Sequence, residues 1–364
     1  MCGIVGYVGY DEAAGKIIEG LKKLEYRGYD SSGIAILSDK GIELNKCKGE
    51  IKNLENMIAG RIPSGTCGIG HTRWATHGAP SDVNSHPHMD QSGRVALVHN
   101  GIVENYLELK EALINEHGIK FKSETDSEVI AQLVGVKYNA NGGDLEKAVY
   151  DAIKEMRGTY AIGVIAEDTP DKIVAYRKEA PLIAGLGKKS NFIASDIPAL
   201  LKYTNDIFLI ENDEMVICTP DSITIKDKDG KEVKREAMKI TWSVEDAEKG
   251  GYEHFMLKEI NEQPKVVAET LNRRIDEDGK IKLDGINLTK EELDKYNKIY
   301  IVACGTAYHA GLVGKYVIEK MAGIAVEVDV ASEFRYRDPF IDEKTLFIAI
   351  SQSGERSEER RVGK

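Results

Sequence analysis

The first residue in the sequence with chemistry to offer is a thiol near the amino terminus: Cys2, in Met1-Cys2-Gly3-Ile4-Val5-Gly6. With Met1 removed, Cys2 would carry a free α-amine beside its thiol. An α-amine has a reference pKa of about 8, so near neutral pH part of it is uncharged and can act as a base toward its own side chain. The competing reading is a small hydrophobe at a chain end. Arg73 can clasp a carboxylate through two parallel hydrogen bonds, with Trp74 beside it as a rigid cover. Asn100-Gly101 closes an apolar strand. The pair is either a hairpin turn or, through an amide NH2 and a glycine N–H, two donors for an oxyanion. Asp126, within Ser123-Glu124-Thr125-Asp126-Ser127-Glu128, precedes a helical pattern. Thr125 or Asp126 can cap that helix, or Asp126 can bind an ammonium group. A nucleophile, a carboxylate clasp, an ammonium acceptor and oxyanion donors together suit an amino acid with a side-chain amide, and glutamine fits.

His71, His77 and His86 raise the question of a metal, but their spacing follows no common ligand pattern, and neither a metal nor a cofactor is expected. The five cysteines (2, 47, 67, 218 and 304) are odd in number and no two sit in a C-x-x-C spacing, which argues against both a disulfide framework and a zinc site. A net charge of −11 disfavours nucleic-acid or anionic-membrane partners. No secretion-type leader or long apolar run is seen, so a cytoplasmic protein is expected.

These groups need a scaffold. Apolar spacing predicts helices over 11–24 (capped by Asp11), 51–59, 102–117, 127–139 and 144–156. Strands are predicted over 33–37, 42–48, 67–71 and 94–99, with a long functional loop at 72–93, and at six further places between 160 and 226. Layers of sheet and helix follow from this order, not strict alternation of the two. Residues 241–252 read as a polar linker ending in Gly250-Gly251. Beyond it a helix over 253–274 precedes a parallel unit: strand 298–303, helix 307–322, and strands 324–330 and 345–350.

The Cys2–Gly6 start, Tyr26-Arg27-Gly28-Tyr29-Asp30-Ser31, His71–Gly78, Asn100-Gly101 and Ser123–Glu128 closely resemble class II glutamine amidotransferase domains of the N-terminal-nucleophile hydrolases. Ala303-Cys304-Gly305-Thr306 and Ser351-Gln352-Ser353-Gly354-Glu355 resemble the phosphosugar loops of SIS (sugar isomerase) domains. Joined in one chain, they resemble the glutamine–fructose-6-phosphate aminotransferase family. The resemblance implies an α+β glutaminase domain of four αββα layers over 2–240, then part of an α/β SIS domain over 253–355. It implies that Cys2 attacks the glutamine amide and that Asn100 and Gly101 stabilise the oxyanion. Arg73, Trp74, Thr76, His77 and Asp126 would hold glutamine, with Trp74 gating ammonia and Arg27 and His86 in support. Gly305, Thr306, Ser351, Gln352 and Ser353 would hold the sugar phosphate. The implied partners are glutamine and fructose 6-phosphate, in a homodimer.

The resemblance stops after Glu355. The family has a threonine where Arg356 stands, and residues 356–364 hold a single large apolar side chain, Val362. A helix needs an apolar stripe to pack on a sheet, so this tail is expected to be unrelated and the sugar-converting part truncated. On that reading the chain would at most hydrolyse glutamine. A non-catalytic phosphosugar-binding or regulatory role is the alternative.

Overall fold

The computed structural model describes residues 2–75, 78–241, 252–272, 274–275, 278–281, 283, 286, 288–334 and 336–351. The chain divides into two compact units, 1–250 and 251–364.

The first unit runs β1 (Gly3–Gly9), α1 (Ala13–Lys23), β2 (Ser31–Ser38), β3 (Gly41–Lys48), α2 (Ile51–Ile58), β4 (Cys67–Arg73), β5 (His88–Met89) and β6 (Val95–Val103). It continues α3 (Tyr106–His117), α4 (Asp126–Ala140), α5 (Leu145–Glu155), β7 (Gly158–Ala166), β8 (Ile173–Lys178), β9 (Ile183–Leu186) and β10 (Ser190–Ala194). Strands β11 (Asp206–Leu209), β12 (Glu214–Cys218), β13 (Ile223–Lys226) and β14 (Met238–Lys239) complete it. One sheet has the order β14-β11-β9-β10-β1-β4-β2-β3, and the other β13-β12-β8-β7-β6-β5.

Side chains alternate between the faces of a strand, and that period of two builds the layers. In β1, Ile4 and Val8 face the second sheet, while Val5 and Tyr7 face α1. In β6, Ala96 and Val98 face the first sheet, while Val95 and Leu97 pack with residues of α3, α4 and α5. Helices thus cover each sheet's outer face, and a third apolar cluster fills the space between the sheets. The order is helix, sheet, sheet, helix.

Three local expectations need correction. The helix expected from Ile102 begins at Tyr106, because β6 runs on through Asn100, Gly101 and Ile102 to pair with β7 (Ile102 opposite Thr159). Thr72 and Arg73 belong to β4, not to the loop, held there by pairing of Thr72 with Gly3 and Arg73 with Ser31. Asp11 does not cap α1; its carboxylate pairs with Lys16, and Glu12 precedes the helix without a side-chain cap.

The second unit holds α6 (Phe255–Asn272), α7 (Lys290–Leu293), β15 (Lys298–Ala303), α8 (Thr306–Ala322), β16 (Ala325–Val330), α9 (Ala331–Phe334) and β17 (Thr345–Ile350). Its strands are parallel in the order β16-β15-β17. The chain moves to one side of β15 through α8 and then to the other side for β17. That reversal opens a crevice at the carboxyl ends of β15 and β17, where open α/β sheets bind ligands. Residues 242–251 of the expected linker (241–252) and the tail beyond Ser351 lie outside the described residues.

Candidate active site

The period of two that builds the core also builds the site. Cys2 continues the inward face of Ile4, His71 and Arg73 that of Cys67 and Ile69, and Asn100 that of Ala96 and Val98. All of them meet at one end of the space between the sheets. Strand β1 lies between β10 and β4: Gly3, next to Cys2, pairs with Thr72 of β4, and from Ile4 onward the strand is held on both sides. Ile4 N donates to Ser195 Oγ (2.9 Å), and Ser195 N donates to Ile4 O (3.1 Å).

Cys2 is held at two points. Its carbonyl accepts from Asn100 Nδ2 (3.1 Å) and from Arg27 Nε (3.1 Å), which uses both lone pairs. Its Sγ accepts from Trp74 N (3.2 Å). Burial pushes the thiol pKa up, against the Trp74 N–H and the nearby positive charges of the amino terminus, Arg73 and Arg27. The resting thiol therefore keeps its proton near neutral pH, and attack needs a base.

The Tyr26–Ser31 stretch backs the turn that carries Trp74. Arg27 Nη1 is paired with Asp196 (2.9 Å), which also accepts from Tyr26 OH (2.5 Å). Asp30 N donates to Arg73 O, and Asp30 Oδ2 accepts from Ala75 N (2.8 Å). Tyr29 meets the Trp74 indole edge to face at 5.4 Å. Gly28 passes so close that a Cβ there would sit 2.6 Å from Arg73 C and 2.7 Å from Trp74 N. Trp74 itself remains 44% exposed, free to contact a ligand over Cys2.

Asn100 is 6% exposed, and its Oδ1 lies 2.9 Å from His71 Nε2. The next residue, Gly101, has φ +118°, and a Cβ there would strike Thr159 O at 2.0 Å. Only glycine fits, and the kink leaves Gly101 exposed at the end of the buried run. Thr125 caps α4 by accepting from Glu128 N (3.3 Å), so the capping reading holds for Thr125. Asp126 is the first helical residue, buried, with Oδ2 accepting from Val103 N (3.0 Å). Arg73 is 4% exposed and donates to Gly78 O (3.1 Å). It feels the charges of both Cys2 and Asp126, which oppose the lowering of its pKa by burial.

His86 stacks on His71 at 4.1 Å, and its Nδ1 faces His99 N (3.4 Å). His88 meets His86 edge to face, and its Nε2 lies 3.1 Å from Thr125 Oγ1. Burial pushes His71 down to about 3 and holds His86 and His88 well below their ordinary value. These rings serve as neutral struts between β4, β6 and the α4 cap. Lys46 Nζ ties the same loop to β3 by donating to Ser85 O (2.6 Å) and Val83 O (3.1 Å). Among the described residues no cluster of three or more His, Cys, Asp or Glu side chains could hold a metal ion.

Cys2, Arg27, Arg73, Trp74, Asn100, Gly101 and Asp126 are thus brought to one place, with His86 behind them. Thr76 and His77 lie outside the described residues. Sequence reading missed His71 as an Asn100 partner, Asp30 as the staple of the Trp74 turn, and Asp196 as the Arg27 partner. Asp30 lay within a motif singled out only by resemblance. The one signal for Asp196 is the Ser195-Asp196 pair that directly follows the apolar strand β10.

In the second unit, Gly305 (φ +58°) precedes α8, Thr306 begins it, and Ser351 follows β17. Ala303 and Ile350 are paired, so the two loops leave adjacent strand ends, and all three residues are exposed. Gln352 and Ser353 lie outside the described residues. No helix among the described residues is long and apolar enough to cross a membrane.

A glutamine amidotransferase domain model matches residues 71–202, and a SIS domain model matches 292–362, running past Glu355. Over 98% of its length the chain is 58% identical to a glutamine–fructose-6-phosphate aminotransferase (isomerizing) from Clostridium tetani. It is 57% identical to that of Clostridium perfringens. The chain spans 58% of the length of each of these relatives. Among solved structures, a glutamine phosphoribosylpyrophosphate amidotransferase from B. subtilis superposes with a TM-score of 0.54 at 20% identity, covering all of this chain and 70% of its own. The structure of an allosteric regulatory enzyme of purine biosynthesis does so with a TM-score of 0.57 at 19% identity, with the same coverage. Both likenesses concern the fold alone.

Proposed function

We infer, for a chain that belongs to the glutamine–fructose-6-phosphate aminotransferase family, that Cys2 is the nucleophile of a glutaminase site. Its ammonia serves, in the whole enzyme, to convert fructose 6-phosphate to glucosamine 6-phosphate. The observation that carries this reading is the pinning of Cys2. Its carbonyl is held by Asn100 and Arg27 and its sulfur by Trp74 N, with Arg73 and Asp126 in the same buried site.

Glutamine would enter with its α-carboxylate on Arg73 and its α-ammonium on Asp126, under Trp74, with Thr76 and His77 completing the grip. After removal of Met1, the α-amine takes the thiol proton as sulfur attacks the side-chain carbonyl carbon. The elevated thiol pKa makes that base necessary. Asn100 Nδ2 has two N–H bonds, and the Cys2 carbonyl uses one. The other, with the Gly101 N–H, faces the negative oxygen of the tetrahedral intermediate. Collapse breaks the C–N bond, the protonated amine returns its proton to the leaving nitrogen, and ammonia departs. Water then hydrolyses the thioester to glutamate by the same base and donors.

Gly305, Thr306, Ser351, Gln352 and Ser353 would receive the phosphate of fructose 6-phosphate at the strand ends and the start of α8. The whole enzyme is read as a cytoplasmic homodimer with no nucleic-acid or membrane partner. Glutamate release by the processed chain, compared with Cys2→Ala, tests the central claim. Equal rates would leave the non-catalytic, sugar-binding alternative standing.

A further inference from the structure

We propose that His71 is a positioning residue: a neutral imidazole that fixes which end of the Asn100 amide faces Cys2. The inference rests on the glutaminase reading and goes beyond it, because His71 touches neither Cys2 nor any group assigned to glutamine.

A carboxamide has two ends of nearly equal shape and opposite hydrogen-bond character. Only one orientation gives Cys2 and an oxyanion an N–H donor. Three contacts select it. The Cys2 carbonyl can only accept, so the atom of Asn100 that lies 3.1 Å from it must be the NH2. Oδ1 must then face His71 Nε2 at 2.9 Å. The same Nε2 lies 3.0 Å from the carbonyl of His99, another obligatory acceptor. Two acceptors converge on one ring nitrogen, so the proton sits on Nε2. The opposite tautomer would aim a lone pair at two oxygens.

The ring's surroundings keep it in this state. His71 is fully buried, its Nδ1 has no hydrogen-bond partner among the described residues, and His86 stacks on its face at 4.1 Å. Its place in β4, opposite Ile4 of β1 and Gly33 of β2, fixes its height along the sheet. A flipped Asn100 would set its NH2 against the His71 N–H and its oxygen against the Cys2 carbonyl. It would lose two hydrogen bonds and deprive the oxyanion of a donor. His71 therefore transmits the rigidity of the eight-stranded sheet to a side chain on the six-stranded one.

The test uses the processed full chain with His71→Leu, which removes the donor, and His71→Gln, whose amide nitrogen reaches about as far as imidazole Nε2. His71→Leu should lower kcat for glutamine hydrolysis about 100-fold while KM stays within about threefold, since Arg73 and Asp126 are untouched. His71→Gln should recover at least about tenfold of that loss. Equal impairment of the two variants at unchanged unfolding midpoints, or a loss carried by KM, would overturn the proposal. Should the variants fail to fold, 15N spectra of wild-type imidazoles decide. Nε2 protonated and Nδ1 bare from about pH 5 to pH 8 is the expected result; a proton on Nδ1, or a ring titrating in that range, overturns it. If wild type releases glutamate no faster than Cys2→Ala, the glutaminase reading fails instead, and the spectra still decide the hydrogen bond.

Discussion

The two candidate sites of this chain are built in opposite ways. The first lies between two sheets, where Cys2, His71, Arg73 and Asn100 continue the inward faces of core strands and come from segments far apart in sequence. The second lies at the open ends of β15 and β17, where Gly305, Thr306 and Ser351 are exposed on two short strand-end loops. Buried polar groups are costly unless fully paired, so the first site is a network whose members fix one another. Exposed groups at a strand end are separable, and solvent stands in for whichever is lost. Substitutions in the first site should therefore have large, mutually dependent effects, and those in the second small, additive ones.

The sharpest test of that contrast is Cys2→Ala, which should abolish glutamate release by about 1,000-fold or more, as expected for loss of a nucleophile. Retention of Met1 should do the same with the thiol intact, because it blocks the amine; N-terminal mass analysis beside the assay separates the two cases. Next comes Asn100→Ala, with an expected fall in kcat of about 100- to 1,000-fold, the usual cost of losing an oxyanion donor. Its effect should not add to that of His71→Leu: once Asn100 is gone, His71 has nothing left to orient, and the double variant should match Asn100→Ala. Full additivity would mean that the buried site is no more coupled than the exposed one.

Acid should also separate the regions. His71, His86 and His88 are held neutral by burial well below the ordinary 6.5, His71 at about 3. In the unfolded chain they bind protons as pH falls through about 6.5, while in the fold they do not. The unfolded state then binds more protons, so stability falls with falling pH. Stability that is full above pH 7 should decline progressively toward pH 5 and below. Denaturant midpoints for the first unit, followed by Trp74 fluorescence, should drop across that window. A flat profile would mean that the rings are solvated, not clamped.

How much of this was legible in the sequence follows the same division. Residue types and a resemblance singled out Cys2, Arg73, Asn100-Gly101 and Asp126, because each carries a distinctive chemistry. The helix-sheet-sheet-helix layering followed from the resemblance and is present. What reading by composition missed was continuity. Thr72-Arg73 looks like loop because it is polar, yet it is strand because Gly3 and Ser31 lie opposite it. Ile102 looks like the start of a helix, yet β7 claims it. Asp196 and His71 act through partners that are distant in sequence, and no local pattern encodes such a partnership. The βαβ unit, by contrast, was legible almost to the residue, because β15 and β17 are short, largely apolar runs and α8 ends at Gly323, in the left-handed region.

The smallest effect belongs to the exposed site. Thr306 offers one neutral hydroxyl at the start of α8, and the helix's own N–H groups remain when it is removed. A net hydrogen bond of this kind is worth about 0.5–1.5 kcal/mol, so Thr306→Ala should weaken fructose 6-phosphate binding by about two- to tenfold, measured by calorimetry. Glutaminase activity should be unchanged. Thr306→Val, which keeps shape without the hydroxyl, should behave alike, since the group is solvated when no ligand is bound. A loss of about 100-fold or more would mean that the hydroxyl is one member of a coupled set. The strand-end loops would then be organised on the same principle as the site between the sheets.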